Sequence, residues 1–125
     1  MEFKIDTKEK FHVVHPIETS IYANMAADLT TQCSFFLKNE TKNLILNLEN
    51  TETIDETIAT AIVKLQQDFF ENKASFVVCS INNQIKNVFE ISELFDSLNY
   101  APTESEAWDI VQMEEIEREL LDGEE

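Results

Sequence analysis

Two short apolar runs, NLILNL from Asn43 to Leu48 and ASFVVCS from Ala74 to Ser80, mark the middle of the chain. Each is too short for a helix and mostly apolar on both alternate positions, so both read as interior strands. Between them Ile58, Ile62, Leu65 and Phe69 recur at three- and four-residue spacing, the stripe of an amphipathic helix. An earlier helix is expected from Ile21, Met25, Leu29, Cys33 and Phe36, capped by Thr19 or Ser20 after Pro16. FKID and FHVVH flank the turn-like TKEK and form an initial hairpin. Ile85, Val88 and Phe89 mark a short helix, and ISELFDSL continues in helical character. Ala101-Pro102 stops it, and SEAWDIVQMEEIEREL is a last helix entered near Thr103 or Ser105. The order ββαβαβα(β)α implies parallel strands joined by helical crossovers. The fold class is α/β, with a mixed sheet of four to five strands and about four helices packed mainly on one face.

At 125 residues, 43% hydrophobic and with nine Phe, the chain suits one domain with a continuous core. That domain is expected over residues 1–112. Residues 113–125 read as an acidic helix end and tail, in which Ile116, Leu120 and Leu121 leave room for a docking stripe. The formal charge of −16 disfavours nucleic acid and anionic membrane surfaces and favours a basic protein partner. MEFKIDTKEK lacks the apolar core of a signal peptide and no run is long enough to span a bilayer, so a cytosolic location without membrane insertion is expected.

Enzyme chemistry finds little footing. The single glycine, Gly123, excludes Walker A and GxGxxG phosphate cradles. His12 and His15, three apart on a strand, point to opposite faces and cannot share a metal. Cys33 and Cys79 form no CxxC pair and read as reduced, buried thiols. A phospho-accepting receiver would need an acid beside Asp6 and a late lysine, and both are lacking. No cofactor, no metal and no catalysis are expected.

The informative corner is the join between strand and helix at Asp55, Glu56 and Thr57. In an alternating α/β sheet functional groups collect at the carboxyl ends of strands. Asp55 or Thr57 can also cap the helix, and acids there face the positive end of its dipole.

LILNLENTETIDETI followed by AIVKLQQDFFENKASFVVCSI resembles the central part of a STAS domain, the fold of bacterial anti-sigma-factor antagonists. The similarity continues through VFEISELFDSLNYAPTESEAW and covers roughly Phe3 to Val111. In that family an Asp-Ser-Ser-Gly-like motif opens the second helix. Asp55 falls on its Asp, Glu56 on the first Ser, Thr57 on the phosphorylated Ser and Ile58 on the Gly. Glu56 and Ile58 are departures: one adds a permanent charge, and the other removes a glycine that lets a partner's backbone approach.

The resemblance implies a non-enzymatic regulator of transcription that docks a serine/threonine kinase anti-sigma factor and is released when Thr57 is phosphorylated. Its docking surface would comprise Asp55, Glu56, Thr57, Ile58 and Ala61, with Pro16 and Thr19 beside them. The alternatives are a STAS subunit bound to the ATPase of an ABC-type lipid transporter, and a degenerate scaffold that is never phosphorylated. Dimerisation through the edge strand near Phe3 is a further expectation.

Overall fold

A computed structural model of the chain describes residues 1–123. The hairpin forms as β1 (Phe3–Thr7) and β2 (His12–Pro16), paired antiparallel with Phe3 opposite Pro16. The two apolar runs become β4 (Leu44–Asn47) and β6 (Phe76–Cys79), and Tyr100–Ala101 adds a final strand, β7. Together they make a five-stranded mixed sheet in the order β1-β2-β4-β6-β7, with every pairing after the hairpin parallel.

Alternation along the central strands sorts the core into two layers. Val14, Leu44, Leu46, Phe76 and Val78 face the larger one. It is closed by α1 (Ala26–Ser34), α2 (Glu56–Glu71) and α3 (Asn83–Ile91) through Leu29, Cys33, Ile58, Ile62, Leu65, Phe69, Ile85 and Phe89. Val13, Ile45, Val77, Cys79 and Ala101 face the opposite side, which α4 (Glu104–Gly123) covers with Ala107 and Val111. Three helices thus lie on one face and one on the other. Both faces of the parallel strands are dry, which is why their sequences are almost continuously apolar.

Three local expectations change. Thr19 and Ser20 do not cap a helix: Ser20–Ile21 is a short strand, β3, paired in parallel with β5 (Thr53–Ile54). The chain turns through a 3-10 segment at Ala23–Met25 before α1 begins. ISELFDSL is not continuous helix, because α3 ends at Ile91, Glu93 takes the left-handed conformation, and a 3-10 turn follows at Phe95–Ser97.

The ordered domain also runs past residue 112. Arg118 donates to Ser75 Oγ at 3.0 Å and to Asn43 Oδ1 at 3.3 Å, while the Asn43 amide donates to Glu115 Oε1 at 2.6 Å. Asn43 is buried, and these bonds, with one to the Lys10 carbonyl and one from the Ser75 amide, satisfy its side chain. A helix end so tied is part of the domain. Residues 124–125 of the expected tail lie outside the described residues.

His12 and His15 do face opposite ways. His12 is buried, stacks on Phe36 at 4.2 Å and donates from Nε2 to the Thr41 carbonyl at 2.9 Å, leaving Nδ1 to accept from Thr7 at 3.0 Å. His15 sits on the α4 side, 3.8 Å from Glu49 and 3.6 Å from Glu104.

Candidate functional site

The strand-to-helix corner is built around one carboxylate. Asp55 has extended backbone and caps α2, with Oδ1 accepting the Ile58 amide at 3.0 Å. Its other oxygen, Oδ2, accepts the Ala23 amide at 2.8 Å, at the start of the 3-10 turn that leads into α1. One side chain therefore satisfies free donors of two helical starts, which would otherwise have to be met by water.

Further bonds join the loops around it. The Glu52 and Thr53 amides donate to the Thr19 carbonyl at 2.7 and 3.2 Å, and buried Thr51 donates its hydroxyl to the Glu18 carbonyl at 3.1 Å. Asn82 caps α3 through Oδ1 on the Ile85 amide and donates from Nδ2 to the Glu52 carbonyl at 2.8 Å. Asp, Thr and Asn side chains thus fix this glycine-free junction by bonding directly to backbone.

Glu56 and Thr57, in the first turn of α2, are exposed, and Ala61 one turn on is half-buried. Thr19 is exposed beside them. Two expected surface residues are not on the surface. Ile58 is 0% exposed and packs in the main core, and Pro16 is buried at the end of β2. Neither side chain can meet a partner. Ile58 turns inward and supports the corner from behind. Sequence reasoning missed Ile17 and Tyr22, exposed apolar residues on the strand-like stretch joined to the corner by the Asp55–Ala23 bond. The signal is present in the IETSIY segment, where Ile17, Ile21 and Tyr22 flank three polar residues, but Ile21 also fits a helical period.

Charge is polarised along the strands. At their carboxyl ends stand Glu18, Glu49, Glu52, Asp55, Glu56 and Glu104. Buried Asn47 links two of these, donating to Glu104 Oε1 at 3.1 Å and accepting the Glu49 amide at 2.9 Å. At the amino ends, Lys10, Lys42, Lys73 and Arg118 line one cavity of about 360 Å³ together with Glu9, Glu40, Glu115 and Glu119. Among the described residues no cluster of three or more His, Cys, Asp or Glu is placed to hold a metal, and no helix is long and apolar enough to cross a membrane. Burial pushes the Cys33 thiol up to about 12 and, with Glu104 and Glu49 adding to it against a hydrogen bond with Ser80, the Cys79 thiol up to about 11. Thiols so held are not nucleophiles near neutral pH.

The five-stranded mixed sheet, the three-and-one helix layering and a capped helix start at the carboxyl end of a central strand define an α/β domain of one known kind. The STAS domain model matches residues 3–107, and the chain belongs to the STAS domain family. Among solved structures it is similar to a putative anti-sigma factor antagonist from Thermotoga maritima, with 20% identity, 88% of this chain and 94% of that one covered, and a TM-score of 0.74. It is also similar to the anti-sigma factor antagonist SpoIIAA in its unphosphorylated form, with 15% identity, 89% and 96% coverage and a TM-score of 0.70. The murine anion transporter Slc26a9 contains the same fold over 18% of its length, matching 83% of this chain at 15% identity and a TM-score of 0.71. No curated protein matches the chain significantly.

Proposed function

We propose that this protein is a partner-switching module that docks a serine/threonine kinase of the anti-sigma type at the Thr57 corner and is released when Thr57 is phosphorylated. The observation that carries the reading is the position of Thr57: an exposed hydroxyl in the first turn of α2, one turn from the half-buried Ala61 and directly after the Asp55 cap. The likeness to SpoIIAA, a protein known in an unphosphorylated form, supports it.

A phosphate on Thr57 would bring roughly −1.5 to −2 charges to a helix N-terminus, where the domain itself tolerates them. A partner packed over the corner would not. It would meet a dianion beside Asp55 and Glu56, and repulsion with desolvation would cost about 3 kcal/mol, on the order of a 100-fold loss of affinity. The acidic carboxyl end of the sheet supports a partner whose own contact surface is basic.

The test uses tagged wild-type and Thr57→Glu proteins as baits in lysate of the source cells, with captured proteins and the state of Thr57 read by mass spectrometry. Capture of a serine/threonine kinase by wild type and its loss from the variant is the expected result. Capture of that kinase by both baits, or of a transporter ATPase instead, overturns the switch.

A further inference from the structure

The corner accounts for one end of the molecule and leaves the outer face of α4 unexplained. The inward side of this helix is occupied by Ala107 and Val111 in the core and by Glu115 and Arg118 in the bonds to Asn43 and Ser75. Its outer side carries Met113, Ile116 and Leu120, which are 61%, 57% and 66% exposed. Spacings of three and four residues join these three into one stripe. Leu121 and Phe70, 65% and 80% exposed, extend the apolar surface across a cavity of about 320 Å³ between the ends of α2 and α4.

The charge on the same helix selects what can cover the stripe. Between Glu104 and Gly123 the sequence places eight acids and one arginine, and that arginine is already committed to Ser75 and Asn43. A second copy would set this acidic helix against its own like in a chain of formal charge −16, and an anionic lipid surface would be repelled equally. Lysines or arginines flanking an apolar face would be attracted.

We propose that the outer face of α4 is a second docking surface, which takes a basic amphipathic helix of a partner protein. The partner's apolar side chains sit on Met113, Ile116 and Leu120, and its cations face Asp109, Glu117 and Glu119. This is helix-on-helix recognition, in which the apolar anchors supply affinity and the flanking charges supply register. The surface is separate from the Thr57 corner and does not depend on it.

The full chain is titrated with a fluorescent 20-residue peptide of Leu and Lys arranged with all leucines on one helical face, beside a scrambled peptide of the same composition. Binding of the amphipathic peptide at least tenfold tighter than the scrambled one is expected. It should weaken tenfold or more in an Ile116→Ser, Leu120→Ser double variant and in a Glu117→Lys, Glu119→Lys variant, and stay unchanged in Thr57→Glu. All four substituted side chains on α4 are exposed, and circular dichroism checks that each variant folds. Equal binding of the two peptides, indifference to the double variant, or loss in Thr57→Glu would overturn the proposal. So would sedimentation showing a wild-type dimer that Ile116→Ser, Leu120→Ser converts to monomer, because the stripe would then belong to a second copy.

Discussion

The Asp55 carboxylate and the Ala23 amide meet at 2.8 Å across 32 positions of sequence, while the same carboxylate caps its own helix through Ile58. Replacing Asp55 by Ala removes both bonds and should lower stability by about 2 kcal/mol. Asn at this position has one accepting oxygen and should keep one bond of the two. Urea unfolding gives the stability, and amide exchange at Ala23 and Ile58 tells which bond Asn retains.

Core and corner should separate cleanly. Phe69 is fully buried and packs on Phe76 with ring centroids 5.2 Å apart, so Phe69→Ala should cost about 3–5 kcal/mol. Thr57→Glu adds an acid to an exposed first turn and should change stability by less than about 0.5 kcal/mol. Thermal unfolding of the two variants side by side would show whether a binding loss in Thr57→Glu reflects the surface alone.

Chain length gives a third check. A protein ending at Gln112 loses the partners that Glu114, Glu115 and Arg118 provide to Asn99, Asn43 and Ser75. Leaving buried Asn43 and Ser75 short of partners should cost about 3 kcal/mol. A protein ending at Leu120 keeps those bonds and should stay within about 1 kcal/mol of the full chain by urea unfolding.

Lys73 and Glu93 take positive φ, 59° and 61°, just beyond the ends of α2 and α3. Helices commonly place glycine there, since any Cβ opposes the left-handed conformation. Glu93→Gly should therefore raise stability by roughly 0.5–1 kcal/mol, read as a higher urea midpoint. A lower midpoint would mean that the Glu93 side chain makes a compensating interaction.

The two thiols set an alkaline limit. Their folded values, about 12 for Cys33 and about 11 for Cys79, lie above the ordinary 9.0 because burial disfavours the thiolate. Below pH 9 folded and unfolded chains hold the same thiol protons and this contribution is whole. From pH 9 upward the unfolded chain releases them first, so stability falls as pH rises toward 12. Replacing both cysteines by Ala should flatten that decline in stability measured from pH 8.5 to 11, relative to wild type, whatever the replacements cost at neutral pH.

Legibility in the sequence followed the length of each pattern. NLILNL, FVVC and the Ile58–Phe69 stripe are long enough for burial to impose a period, and they appear as β4, β6 and α2. β3 and β5 are two residues each, below any period, so local rules offer Ser20 as a cap where the fold makes it a strand. The site was legible in kind, since Asp55 and Thr57 stand at a helix start by local rules. It was not legible in depth: Ile58 faces inward because α2 presents that position to the core, and Pro16 is covered by packing that no local rule describes. The Asp55–Ala23 bond and the Asn43–Arg118 tie join residues distant in sequence, where neither spacing nor propensity carries information.

Four of the nine cations gather around the amino ends of the parallel strands, where they balance Glu9, Glu40, Glu115 and Glu119, while the carboxyl ends carry uncompensated acids. The molecule is therefore an oriented electric dipole as well as a surface. A basic partner diffusing toward it is turned before contact and arrives at the Thr57 end more often than chance would allow. Because screening sets in over about 8 Å at physiological ionic strength, that guidance acts on the rate of encounter and fades as salt is added.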